Sequence, residues 1–329
     1  GTYFLNIKRK VGVSLGAENG NGVLNADGGI PFPIPQNGLE AIWNHLLRYS
    51  GHTYFAKYDS INVSASGSAV LATTGENTVE YPYYNPKRTG QAGPKDIYFR
   101  TAISFTAPAR RAGEALLVQD YINVQENPRK AWQYLPGQRR VKMSPELSYD
   151  TPNPSTAGTS TYDDTYVFNG SMDRYDWKLV GKKEVLVPYN AFKLAYAKDP
   201  YAVTTPKHLN PDFLRWELHR VWVVEATLKE GKRHIYAKRT FYVDEDSWYA
   251  LASDQYDARG QLYRSGYLAF TPFYEQPSPG STSQFFYDFA TGGYNIIGLL
   301  GAYPDGLKFI EPRSESQWSA DALAGSGVR

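Results

Sequence analysis

Between Leu214 and Phe273 the chain reads LRWELHRVWVVEATLKEGKRHIYAKRTFYVDEDSWYALASDQYDARGQLYRSGYLAFTPF. Apolar and polar side chains alternate with a period of two. The pattern breaks only at Glu230-Gly231, Asp244-Glu245-Asp246 and Asp257-Ala258-Arg259-Gly260. A period of two fits a strand and misfits a helix. Four strands joined by turns this short must lie antiparallel. On the first of them Leu214, Trp216, Leu218, Trp222, Val224, Ala226 and Leu228 share one face, interrupted only by Arg220. The other face carries Arg215, Glu217, His219, Glu225 and Lys229, with Val221 and Val223 between them. The expectation is a sheet with one dry face and one wetter face.

The same rhythm runs earlier. HTYFAKYDSINVSASGSAVLATTG from His52, ENTVEYPYYNP from Glu76, KDIYFRTAISFTAP from Lys95 and GEALLVQDYINV from Gly113 read as a meander of strands. AWQYLPGQRRVKMSP, from Ala131, adds a hairpin that turns at Pro136-Gly137-Gln138, and WKLVGKKEVLVPYNAF, from Trp177, resumes a strand. The chain holds 27 Tyr, 15 Phe and 7 Trp. Tyr has a large apolar body and one polar tip, so it suits cross-strand packing and equally the wall of a half-wet cavity. Composition leaves both readings open.

One helix is clear. In NGLEAIWNHLLRYSG, Asn37 is an N-cap and Glu40 stands where a capping box needs it. Leu39, Ile42, Trp43, Leu46 and Leu47 form one apolar stripe; Arg48 falls in the last turn and Gly51 can close the helix. His45 lies off that stripe and reads as solvated. Ahead of it, Pro31, Pro33 and Pro35 force an extended segment that cannot join the centre of a sheet. The Gly/Asn-rich stretch 16–29 reads as a flexible turn.

Residues 144–176 break the strand rhythm with Pro, Ser, Thr and Gly, then offer a short helical start at Thr161-Tyr162-Asp163-Asp164. A long irregular insertion between sheet segments is a common place for a lid or plug. Residues 193–213 form a second loop. From Glu275 the tail reads as loop-rich, with FFYDFATGGYN, a short strand near Gly306–Ile310 and a helical piece near Ser316–Leu323. No linker or repeat divides the chain, so one domain over residues 1–329 is expected. The opening Gly1-Thr2-Tyr3-Phe4-Leu5 reads as the middle of a strand, as in a processed or trimmed chain.

Several function classes lack their residues. There is no Cys, so thiol catalysis, disulfides and thiolate metal sites are excluded. The five histidines, His45, His52, His208, His219 and His234, form no ligand pair at metal-site spacing, so no zinc site is expected. There is no nucleophile elbow and no phosphate loop, and no cofactor is implied. With 35 basic and 33 acidic side chains the net charge is +2. No global field for nucleic acid follows, and Arg110-Arg111 and Arg139-Arg140 are isolated pairs. No apolar run long enough for a transmembrane helix occurs. Asp163, Asp164, Asp173 and Asp176 form the densest acidic group. They could serve as an acid/base pair or as calcium ligands, but a helix N-terminus explains the first two more simply.

The segments GGIPFPIPQNGLEAIWNHLLRY, AWQYLPGQRRV, SYDTPNP and DRYDWKLVGKKEVLVPYN together resemble an uncharacterised proteobacterial family of outer-membrane lipoprotein-sorting-like proteins. The resemblance covers nearly the whole chain. It implies a periplasmic protein made with a secretory signal, and gene neighbours that encode RND-type exporters and outer-membrane proteins. A looser resemblance runs to the LolA/LolB fold. It implies a mainly β (α+β) molecule, in which a large curved antiparallel sheet forms an unclosed half-barrel. A few helices and loops then plug its concave side.

On that resemblance the expected function is carriage of a lipid or other hydrophobic ligand, without catalysis. An RND-type exporter or an outer-membrane protein is the possible partner. The expected apolar lining is Trp43, Leu46, Leu47, Trp132, Tyr134, Trp216, Leu218, Trp222 and Val224. Arg139, Arg140 and Lys142, on the strand beside Trp132 and Tyr134, would meet an anionic headgroup or a partner, or simply form a solvated edge. The candidate lids are the helix 37–50 and the loop 144–176. The alternatives are a non-carrier adaptor of an export complex and a hydrolase, which would need two of the four Asp in one pocket.

Overall fold

A computed structural model describes residues 13–16, 22–88, 90–93, 95–274, 276, 278 and 280–326. Gly1–Leu5 lie outside that set. A small hairpin, β1 (Ser14–Gly16) with β2 (Gly22–Leu24), precedes helix α1 (Gly38–Leu46). Then follow β3 (Thr53–Val63), β4 (Ala69–Glu80), β5 (Ile97–Ala107), β6 (Ala115–Tyr121), β7 (Lys130–Leu135) and β8 (Arg140–Met143). After the insertion come β9 (Tyr175–Pro188), a helical turn α2 (Phe192–Ala195), β10 (Trp216–Leu228), β11 (Lys238–Asp244), β12 (Ala250–Tyr256) and β13 (Leu262–Phe270). The tail gives β14 (Ser281–Asp288), β15 (Gly293–Leu299), β16 (Leu307–Phe309) and α3 (Ala320–Ser326).

Among the described residues β3 to β16 make one 14-stranded sheet, ordered β8-β7-β6-β5-β4-β3-β15-β14-β13-β12-β11-β10-β9, with β16 beside β3. Every pairing is antiparallel. The path has two ends, β8 and β9, so the sheet is not closed. Register shifts interrupt many of the ladders, among them β3–β4, β4–β5 and β9–β10. Such bulges bend a strand and raise its twist. At the β9 end the curl is strong enough that Ala191, just past β9, donates its N–H to the Phe270 carbonyl at the end of β13, at 3.0 Å.

Two expectations change here. The tail is not mostly loop: β14 and β15 form a hairpin that pairs β13 on one side and β3 on the other. It therefore sits near the middle of the sheet and joins the two meanders. Gly75, read as a break between two strands, lies inside the continuous β4 opposite Tyr58. A Cβ there would stand 2.6 Å from the Tyr58 ring, so the glycine makes room for the tyrosine.

Helix α1 is shorter than expected. The Asn37 side chain accepts from Glu40 N at 3.0 Å, as an N-cap should, but Glu40 Oε2 accepts from Gln36 N rather than from the cap residue. The helix ends at Leu46, where Leu47 N–H reaches the Trp43 carbonyl at 2.8 Å. Gly51 serves the turn into β3: its φ is +78°, and a Cβ would strike the Phe309 ring at 2.5 Å.

The largest core lies on the concave face. Ile42, Trp43, Leu46 and Leu47 of α1 pack there with Val224, Phe241, Val243 and Leu251 of the sheet. A second cluster on the convex face covers β3, β13, β14 and β15 with residues of the loop 191–214, including Leu194 and Leu209. On the same side of the β5–β8 end, α3 and the turn before it bring Leu323 and Trp318 against Leu117 and Tyr134.

Candidate functional site: a roofed cavity on the concave face

Strand β5 reads Phe99, Thr101, Ile103, Phe105 on one face, and its register sets Thr101 opposite Val118 and Ile103 opposite Leu116 of β6. Period two thus lays a nearly unbroken apolar floor. Phe286 of β14, Ile297 of β15 and Leu300 extend it, and Tyr54, Ala56 and Tyr58 of β3 stand along one wall. The insertion crosses above with Asn153, Ser155, Thr156, Ser160, Thr165 and Asn169. Between floor and roof lies a cavity of about 130 Å³ that opens to solvent at its mouth.

The roof does not descend to fill the space because its polar groups bond one another. Asn153 Oδ1 accepts from Ser155 N at 2.9 Å, the Thr156 and Ser160 hydroxyls meet at 2.9 Å, and Thr165 Oγ1 donates to the Tyr162 carbonyl at 2.9 Å. Its fastening lies beside the cavity. Asp163 and Asp164, each 1% exposed, receive the fully buried Arg239 guanidinium: Nη1 to Asp163 Oδ2 and Nη2 to Asp164 Oδ1, both at 2.8 Å. His234 Nε2 lies 3.0 Å from Asp163 Oδ2, and Tyr236 donates to Asp164 Oδ2 at 2.8 Å. Burial alone would raise the Asp163 carboxyl, but Arg239 and His234 hold it well below the usual carboxylate range.

Charge inside the cavity is neutralised. Arg129 lines it, yet Nε and Nη2 clasp the Asp120 carboxylate at 2.7 and 2.8 Å, Nη1 donates to the Leu147 carbonyl at 2.9 Å, and Nη2 reaches Asn169. Burial lowers this guanidinium, and Asp120 more than offsets it. Burial pushes the Tyr162 phenol up to about 12 and raises those of Tyr54, Tyr58 and Tyr166, so these walls stay uncharged at neutral pH. Tyr54 and Tyr166 join their hydroxyls at 2.9 Å, linking β3 to the roof.

His45 is a correction: it is fully buried, not solvated. Its Nδ1 accepts from Ala250 N at 2.9 Å, so Nε2 carries the proton that reaches the Phe168 carbonyl at 2.9 Å. One imidazole thereby ties α1, the insertion and the start of β12. Burial, and then the neighbouring Arg48, hold its pKa well below the ordinary value.

None of the nine residues expected as lining borders this cavity. Trp43, Leu46, Leu47 and Val224 are sealed in the main core. Trp222 packs at its edge, stacked on Trp248 with Lys182 above it. Trp132 and Tyr134 pair with Leu117 and Ala115, on the sheet face opposite the cavity, under α3. Trp216 and Leu218 are 43% and 64% exposed and leave the expected dry face. β10 pairs with β11 only from Val221 onward, so its first residues have β9 alone beside them, and Trp216 meets the edge of the Tyr267 ring at 5.9 Å. Arg139, Arg140 and Lys142 are exposed at the β8 edge, with no ion pair recorded among the described residues. Asp163 and Asp164 do converge, as a hydrolase would need, but on Arg239 and not on the cavity wall. Asp173 accepts from the Tyr149 hydroxyl, and Asp176 is exposed on β9.

Sequence spacing also missed His219, Asp244 and Asp246, whose ligand atoms lie within 4.8 Å of one another. Asp244 has both oxygens in use, one on His219 Nδ1 at 3.0 Å and the other on Ser247 N and Oγ, which is how it shapes the β11–β12 turn.

A curled, open antiparallel sheet with a helix and irregular segments in its hollow is the LolA-type architecture. It recurs in the LolA superfamily protein NE2245 from Nitrosomonas europaea, at 11% identity and TM-score 0.50 over 88% of this chain and 100% of that one. It recurs more fully in a Vibrio parahaemolyticus domain named for outer membrane lipoprotein sorting, at 16% identity and TM-score 0.58 over 87% and 98%. A DUF1329 family protein from Desulfovibrio piger gives 16% identity and TM-score 0.55 over 83% and 91%. Residues 3–324 match the family described as protein of unknown function DUF1329, and the chain belongs to that family. The uncharacterized protein PA3922 of Pseudomonas aeruginosa is 41% identical over 98% of this chain and 70% of its own length.

Proposed function

We propose that this protein carries a lipid or other alkyl-bearing ligand in the periplasm, by binding and without bond-making. The observation behind the reading is the apolar floor of β5, β6, β14 and β15 under a roof whose polar groups are already bonded to one another. Each methylene moved from water onto such a floor gains roughly 0.8 kcal/mol. Loading and release pass through movement of the insertion, for which Asp163, Asp164 and Arg239 form the fastening. The periplasmic setting draws support from the lipoprotein-sorting name of a structural neighbour. Among the described residues no helix is long and apolar enough to cross a membrane. An RND-type exporter or an outer-membrane protein is the partner that the sequence resemblance implies.

The test is displacement of a fluorescent acyl probe from delipidated protein, together with mass spectrometry of whatever the native preparation releases on denaturation. Ile103→Trp, which fills the floor, should lower probe affinity at least tenfold, while Trp43→Ala should leave it unchanged. If no alkyl compound binds and native preparations are empty, the carrier reading fails. The adaptor reading then takes its place, favoured by the directly opposed Leu186 and Leu218, 63% and 64% exposed on the β9–β10 ribbon.

A further inference from the structure

The cavity wall holds two polar atoms that nothing in the described protein satisfies. Thr101 is 7% exposed, lines the floor, and its Oγ1 has no hydrogen-bond partner. Asn77, on β4 beside it, also lines the cavity, and its Oδ1 likewise lacks a partner. Asn77 stands opposite Ile103 and Val79 opposite Thr101, so Asn77 and Thr101 are diagonal neighbours on one face. Asn77 Oδ1 can only accept, and Thr101 Oγ1 can accept as well. A buried acceptor left without a donor is unfavourable, and a ligand that brings one relieves it.

Among the described residues no free charge accompanies these acceptors. Arg129, the one guanidinium among the described residues of the wall, is taken up by Asp120, Leu147 and Asn169. An anionic headgroup would enter an apolar site without a counter-charge, which is strongly unfavourable. A hydrocarbon with no polar group would leave both acceptors unpaired.

We propose, resting on the carrier reading, that the cavity selects an uncharged amphiphile bearing a hydroxyl or amide N–H donor near the alkyl body, with Thr101 and Asn77 as its polar contacts. Anionic lipids and donor-free esters are poorer ligands of the same site.

The experiment uses three probes of equal chain length on the delipidated protein, below their aggregation limits: monolauroylglycerol, methyl laurate and dodecyl phosphate. Monolauroylglycerol should bind about tenfold tighter than either of the others, the effect of one good buried hydrogen bond. Thr101→Val, nearly equal in shape, should bring monolauroylglycerol down towards methyl laurate and leave methyl laurate itself unchanged or improved. Thr101→Ser should keep most of the preference, which separates loss of the hydroxyl from loss of the fold. Equal binding of all three, tightest binding of dodecyl phosphate, or an undiminished preference in Thr101→Val would overturn the selectivity while leaving the carrier standing. Binding of none overturns both.

Discussion

Over β9 to β12 the hollow of the sheet is filled by α1, whose Ile42, Trp43, Leu46 and Leu47 mesh with Val224, Phe241 and Leu251. Phe168, from the end of the insertion, completes that seal against Trp177 and Phe241, with ring centroids 5.3 and 5.4 Å away. Over β3 to β6 the strands are just as apolar, but their cover is an irregular run of Ser, Thr and Asn. A helix with an apolar stripe can interdigitate with a sheet. A loop that must satisfy its own backbone and hydroxyl groups cannot. The space therefore appears where the cover is polar, not where the floor differs.

That contrast can be broken from either side. The largest effects are expected at the fastening and at the seal. Arg239→Met would leave the Asp163 and Asp164 carboxylates buried without their partner, at a cost of about 3–5 kcal/mol in urea unfolding. It should also make residues 144–174 the first site of limited proteolysis. Trp43→Ala removes the largest seal residue and should cost about 3–5 kcal/mol, with acyl-probe affinity unchanged.

Acid comes next. His45 is held below its ordinary value in the fold, so the unfolded chain takes up the proton first. Its contribution is complete above about pH 6.5 and falls as pH drops, by up to about 1.4 kcal/mol per pH unit. Urea midpoints from pH 7.5 to 5.5 should show that slope, and His45→Gln should flatten it from a lower starting stability. Asp163 is also depressed, so its contribution is present above the ordinary carboxylate value near pH 4 and is lost as pH falls below it. The two losses are separated by the pH at which each begins.

Smaller effects sharpen the picture. Ile103→Trp enters existing space, so it should move stability by no more than about 1 kcal/mol while lowering probe affinity at least tenfold. Leu218→Ser, on the exposed ribbon, should stay within about 0.5 kcal/mol and leave binding intact. A large loss from either would mean that the hollow is finished differently from this account.

Much of the sheet was legible because alternation is a local signal. The four strands from Trp216 to Phe270 and the meander from Thr53 to Met143 follow the period of two, and Asn37 marks the start of α1. The β14–β15 hairpin was hidden by the Pro and Gly residues between 275 and 280 and by Gly292-Gly293, whose turn chemistry outweighs a short aromatic run. The site was less legible. β6 is buried along its whole length, so its sequence cannot say which face meets the insertion. Trp residues were the natural guesses for a lining, yet large side chains close space rather than leave it. The actual floor is Phe, Ile, Leu and Val around Thr101, made into a wall only by the strand register. His45 was misread because the helical wheel counts one buried stripe, whereas α1 is covered on a second side by Phe168 and Ala250.

The place of β14 and β15 also sets an order of events in the life of the chain. The ladder between β15 and β3 pairs Tyr294 with Val63 and Ile297 with Ser60. Those partners leave the ribosome more than two hundred residues apart, and without them the N-terminal and C-terminal meanders share no edge. The floor of the cavity therefore cannot be completed until β15 has been made. Folding of this kind waits on a long loop closure and is intrinsically slow. In the meantime the edges of β3 and β13 lie open, and any factor that holds the nascent chain must protect those two strands first.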